Sequence, residues 1–296
     1  VVWLKDYYFY ILAVSTILST LIATVCAVLL EKEVWDFRAL SRENWIPQKE
    51  LLSYSIPIMF SSGITMIFNA LDKLFLNHFC TLTDVGVYTS AMNLMAVFTI
   101  VRTTFNALWM PTAVEHYEKK PDDKAFYQRG NAFIVVLMIS FGAGVILCKD
   151  LFVMLLGNKY QEAAQIIPFL MFEPIMYTIS ETTATGIVVQ KKSKYQMLIA
   201  GVSCITNFFG NWLLTPLMGA RGAALSTGVS YIVFFAMRTV LANKVFYVDY
   251  HLKNFMLVSL TLLLFAYYGS THFFSLIQVL MCAGVFLVTL FCYRQY

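Results

Sequence analysis

Nine long apolar runs constrain this chain more than any other feature. A helix needs about 20 mostly apolar residues to cross the hydrocarbon core of a bilayer. The runs that reach or approach this length are Tyr8–Leu30, Leu51–Phe79, Val85–Ala107, Asn131–Cys148, Ala163–Val189, Tyr195–Leu214, Gly222–Leu241, Phe255–Tyr268 and Phe273–Phe291. Barrel strands would alternate over about ten residues, whereas these runs are longer and continuously apolar. Charged residues make up 13% of the 296 positions and hydrophobic ones 59%, with a mean hydropathy of +0.69. Soluble domains carry about 25% charge, so there is too little charge here to cover a water-facing surface. The expected fold class is an all-α polytopic membrane protein with about nine transmembrane helices. The net charge of +4 gives no reason to expect a nucleic-acid partner.

Loop charges give an expected orientation. Connections after the first, third, fifth and seventh runs, with the C-terminus, hold fourteen Lys/Arg residues, among them Lys119, Lys120, Lys124, Lys191, Lys192 and Lys194. The opposite side holds four: Lys5, Lys149, Lys159 and Arg221. The positive-inside rule places the richer side, and the C-terminus, in the cytoplasm. Glu31–Glu50 carries Trp35 and Trp45 among charges and reads as a linker lying along the interface. Glu115–Arg129 reads as a short solvated turn.

No glycine-rich phosphate loop, HExxH or nucleophile elbow occurs, so the chain does not read as an enzyme, and neither a cofactor nor a metal is expected. The six cysteines lie in or beside apolar runs without a CxxC pair and read as small buried hydrophobes. The first run, behind Lys5, is too long for a signal-peptide core and lacks its cleavage site. A chain opening at Val1 reads as a fragment starting in mid-protein.

Polar residues inside the runs are the candidate functional positions, since charge at membrane depth faces a bundle interior or a cavity. Ser55, Ser62, Thr65, Asn69 and Asp72 follow helical spacing and form one stripe, either helix–helix hydrogen bonding or a cavity wall. Pro57 can kink this helix. Lys73 is either a snorkelling residue or a substrate contact. Thr99, Arg102 and Asn106 form a second stripe, with Arg102 either snorkelling or holding a phosphate. Glu173 sits mid-span before Pro174, with Tyr177 and Ser180 on its face, and Glu181 points within about 80° of it. Such carboxylates must be protonated, paired or hydrated. Glu173 reads as a substrate or proton group, or as the partner of Lys73 or Arg102. Ser203, Asn207 and Asn211 recur at i, i+4. Arg238, one turn from a span end, reads as a snorkelling cation.

Five segments, in order, resemble the Wzx-type polysaccharide flippases of the multidrug/oligosaccharidyl-lipid/polysaccharide exporter superfamily. The first is Asn69-Ala-Leu-Asp-Lys-Leu-Phe-Leu76 with Asp84-Val-Gly-Val-Tyr-Thr-Ser-Ala-Met-Asn93, in which Lys73 stands where arginine is commoner. The others are Phe105–Ala113, Leu155–Ala163, Thr183–Lys192, and Asn207–Asn211 followed by Leu214–Ala224 and Ser230-Tyr231. The resemblance implies two six-helix lobes related by pseudo-symmetry. On that pattern residues 1–30 are the last helix of a first lobe absent from this chain. Residues 31–50 join the lobes, 51–242 form the second lobe, and 243–296 add two helices.

The implied activity is transport of a polyprenyl-diphosphate-linked oligosaccharide from the cytoplasmic to the outer leaflet of a bacterial plasma membrane, for O-antigen or lipopolysaccharide assembly. Membrane lipids, the absent lobe and the polysaccharide polymerase machinery are the implied partners. Lys73, Arg102, Asn69, Asn207 and Asn211 are the candidate substrate contacts; Asp72, Glu173 and Glu181 are the candidate ion-coupling acids. Two cations against three acids is not a strongly basic cavity. A cation-coupled multidrug or metabolite exporter of the same superfamily is the first alternative. A membrane-embedded polysaccharide polymerase or glycosyltransferase is the second; it would need a large outer loop or a catalytic domain, and the longest connection after the linker is Trp109–Gly130.

Overall fold

The computed structural model describes residues 4–30, 48–154 and 161–294, all of its regular structure helical. The linker 31–47, with Trp35 and Trp45, and the 155–160 part of the third resembling segment lie outside these residues. The chain divides into two compact units, Val1–Leu51 and Leu52–Tyr296. The first contains α1 (Leu4–Leu30). Its Thr20 and Thr24 hydroxyls return to carbonyls four residues back, which satisfies them within the helix and suits an apolar setting.

The second unit is a helical bundle. α2 (Gln48–Phe79), which begins in the first unit, runs unbroken through Pro57. α3 (Leu82–Lys119) opens on a capping box: the Thr81 side chain accepts from the Asp84 amide and the Asp84 carboxylate accepts from Thr81 N–H at 2.8 Å. It spans 38 residues, about 57 Å at 1.5 Å per residue, well beyond a core of about 30 Å. The expected span Val85–Ala107 is therefore only its apolar part. The expected Glu115–Arg129 turn shrinks to residues 120–123, because α4 (Lys124–Leu147) starts at once.

Aromatic packing holds this projecting end. Trp109 stacks on Phe126 at 5.6 Å, and the Tyr127 hydroxyl donates to the Ala113 carbonyl at 2.9 Å. A side chain at Gly130 would strike the Trp109 ring. Glycine lets the indole lie against α4 here.

After α5 (Lys149–Met154), the expected span Ala163–Val189 is three helices end to end: α6 (Ala163–Leu170), α7 (Phe172–Thr183) and α8 (Thr185–Val189). The break at Met171 lies one turn before Pro174, whose ring displaces the carbonyl four residues back and offers it no N–H. Most of this broken span is buried, with α3, α4, α10 and α11 around it. α9 (Ser193–Met218) and α10 (Ala220–Asn243) form a tight hairpin through Gly219 at φ +59°. α11 (Leu252–Thr271) and α12 (Leu276–Tyr293) pack on α4 and α6. α11 has 20 residues, longer than the expected Phe255–Tyr268. Eight helical spans among the described residues, α6 and α7 counted as one, are long and apolar enough to cross a membrane, against about nine expected; the apolar stretch of α1 that compares with them, Val14–Leu30, is shorter.

Candidate functional site

The α9 stripe meets Asp72, the one buried member of the α2 stripe, whose Ser55, Ser62, Thr65 and Asn69 are exposed. Asp72 is 5% exposed. Its Oδ2 accepts from the Tyr88 hydroxyl at 2.5 Å and the Thr227 hydroxyl at 2.6 Å. Its Oδ1 accepts from the Asn211 amide at 2.7 Å and the Asn207 amide at 3.3 Å. Four helices thus converge: α2 supplies the acid, α3 Tyr88, α9 the asparagines and α10 Thr227. Asn207 and Asn211 sit one turn apart, so one α9 face presents both. The Ser226 hydroxyl donates to the Asn207 carbonyl at 3.0 Å, and the Thr215 hydroxyl to Asn211 Oδ1 at 2.9 Å.

No lysine, arginine or histidine nitrogen lies within 4.0 Å of Asp72 among the described residues. A buried carboxylate without a cation is costly to keep ionised. The four donors reduce that cost but add no positive charge.

A second cluster is built on α3 and α7. Arg102 and Glu173 line one small cavity of about 100 Å³, with Thr99 and Pro174. Arg102 lies 4.0 Å above the Tyr177 ring, so its guanidinium is turned into the lobe. Arg102 and Tyr231 both act on Glu173 electrostatically. Glu173 makes no ion pair within 4.0 Å among the described residues.

Glu181 is different. Arg238 Nη1 and Nη2 donate to its two carboxylate oxygens at 3.0 and 3.3 Å, and Nη1 also donates to Ser180 at 2.8 Å. This corrects one expectation. Arg238 does not snorkel; it turns inward because a carboxylate waits there. Glu181 is a paired charge, the cation-paired alternative of those its depth allows.

The other candidates divide. Asn69 and Lys73 are exposed on α2, away from the Asp72 hub. Asn207 and Asn211 are completely buried, their amides donating to Asp72. Tyr88, Thr227 and Ser226 were not singled out from sequence, because single hydroxyls in an apolar run carry no charge signal. Tyr88 lies in the Val-Gly-Val-Tyr segment that carries the resemblance.

A family profile described as polysaccharide biosynthesis protein matches residues 5–165, more than half of the chain. The chain belongs to this family. It is 24% identical over 216 residues to an uncharacterized membrane protein of Methanocaldococcus jannaschii, covering 72% of this chain and 43% of that one. Its fold is that of the lipid II flippase MurJ in an inward closed conformation, with a TM-score of 0.58 at 15% identity, over 83% of this chain and 55% of MurJ. The chain thus spans about half the length of the proteins it matches.

Proposed function

We propose that this chain forms the C-terminal lobe of a transporter that moves a polyprenyl-diphosphate-linked oligosaccharide from the cytoplasmic to the outer leaflet, with the Wzx-type exporters as its nearest functional class. The observation that carries the reading is the pairing of two sites in one lobe. Among the described residues, Asp72 is a buried acid with four donors and no cation within 4.0 Å, and Arg102 is an inward-turned guanidinium lining the same cavity as Glu173. A polar headgroup cannot enter hydrocarbon unaided. A guanidinium binds diphosphate oxygens in its planar fork, while the buried acid links transport to a proton or monovalent cation. Family membership supports a role in polysaccharide assembly, and the MurJ-like fold supports alternating exposure of a central cleft. The exposed Asn69 and Lys73 belong with the substrate route. The setting is a bacterial plasma membrane, with the lysine-rich ends and the C-terminus cytoplasmic and the glycan passed on to polymerase machinery.

The test is surface-polysaccharide display by the full-length protein in a strain lacking its own flippase, with protein levels checked by blot. Asp72→Asn keeps the shape and removes the titratable charge, and is expected to abolish display. Arg102→Ala is expected to lose most of it and Arg102→Lys to retain part, since a point charge binds phosphate without the fork. Normal display from both Asp72→Asn and Arg102→Ala defeats the reading.

A further inference from the structure

Between α2, α7, α9 and α10 lies a larger cavity, about 190 Å³, which the coupling acid and Arg102 do not line. Its chemistry is unlike that of a phosphate site. Arg238 is its one charged residue, and Glu181 neutralises that charge through two hydrogen bonds. The pocket therefore carries no net charge. It attracts neither a free phosphate nor a cation.

Its walls are aromatic. Tyr177 stacks on Phe234 at 5.4 Å, and Phe68 meets Tyr231 edge-on at 5.3 Å. Its polar groups are neutral. The Thr65 and Ser203 hydroxyls donate to backbone carbonyls within their own helices at 2.9 and 2.8 Å, so their oxygens remain acceptors. Gln196 at the rim brings both a donor and an acceptor. Tyr177 has Arg102 over one face and Phe234 against the other, so it offers its edge; ring edges and the Phe68–Tyr231 pair, flanked by acceptors and a donor–acceptor amide, match a ligand with C–H faces and a rim of hydroxyls. Sites for drug-sized ligands are about 300–1,000 Å³, so this one holds a single ring and not a whole glycan.

We infer that this pocket is a subsite for one uncharged sugar ring. It rests on the transport reading above and assigns within it the contact that senses the glycan, separate from the diphosphate contact at Arg102.

The experiment is saturation-transfer NMR on the detergent-purified full-length protein, with glucose and N-acetylglucosamine as probes and inorganic pyrophosphate as competitor. Ser203→Leu fills the pocket from its buried wall, and Gln196→Ala removes the rim amide with little risk to folding. Wild-type protein is expected to give ring-proton signals with at least one sugar. Those signals should fall at least fivefold in both variants and be unchanged by pyrophosphate. No sugar signal in wild type, signals that persist in both variants, or signals displaced by pyrophosphate would each overturn the subsite. If Ser203→Leu does not purify as a monodisperse species, Gln196→Ala decides alone. The display assay reads the transport proposal independently: a bound sugar with normal display from Asp72→Asn and Arg102→Ala keeps the subsite and removes the transport reading.

Discussion

Breaking the Glu181–Arg238 pair from either side, and then from both, separates a structural charge pair from a coupling site. The side chain of Glu181 is 3% exposed and that of Arg238 11%. Arg238→Met leaves a buried carboxylate with neither of its guanidinium donors, a loss of about 3–5 kcal/mol. Glu181→Leu costs less, about 1–3 kcal/mol. The stranded guanidinium still donates to Ser180 and lies 5.6 Å from both the Tyr177 and Phe234 rings, with a cavity beside it. The double variant removes both charges and fills similar volume, and should fall within about 1 kcal/mol of wild type. The coupling energy of the cycle is then at least about 3 kcal/mol, at or above the top of the range for residues in contact. Denaturation in mixed micelles, followed by tryptophan fluorescence, measures all four proteins. An Arg238→Met loss below about 1 kcal/mol, or a double variant as unstable as the two singles summed, would refute the buried-pair argument.

Three further outcomes follow from the geometry. Tyr88→Phe removes one of the four donors to Asp72 and should cost about 1–3 kcal/mol in the same unfolding assay; a neutral result would mean the hub is hydrated. A Cβ on Gly222 would sit 2.2 Å from the Leu214 carbonyl oxygen, so Gly222→Ala should destabilise the α9–α10 hairpin by about 1–3 kcal/mol, and a stabilised variant would contradict the close approach. Cysteines placed at Lys120 and Lys192 should resist an impermeant maleimide from outside intact cells; labelling there would reverse the orientation. Native Cys80 and the exposed Cys148 are replaced by serine first, so that neither gives background.

Period and length made the spans readable, while their ends were set by other forces. α3 outruns its apolar stretch because Trp109, Phe126 and Tyr127 pack its far end against the start of α4. That packing is tertiary, so no window of hydropathy shows it. Pro174 did signal a break, but the break falls at Met171, on the carbonyl side of the missing bond. The α9 stripe placed Asn207 and Asn211 on an inward face, whereas of the α2 stripe only Asp72 is buried, and this is as far as helical spacing reaches. Which faces meet depends on crossings between helices distant in sequence, and so the hub could not be assembled from spacing. Arg238 shows the same limit. Its nearness to a span end suited snorkelling, but its partner lies 57 residues upstream on another helix.

One face of α10 joins the three polar features of the lobe. Thr227, Tyr231, Phe234 and Arg238 recur at intervals of four, three and four, which places them on a single line along the helix. Thr227 holds Asp72, Tyr231 acts on Glu173, and Phe234 and Arg238 line the neutral pocket. Charging or neutralising Asp72 changes what Thr227 must satisfy. Any shift or rotation of α10 that follows moves the pocket wall in the same step, because a packed helix moves as a unit and does not deform residue by residue. On the other side, α7 carries Glu173, Tyr177 and Glu181 at i, i+4 and i+8, and the Glu181–Arg238 pair ties the two helices together at the far end of this line. On the proposed reading a ring in the pocket and an ion at Asp72 act on one helix, and whatever change either makes in the other's affinity is reciprocal by linkage.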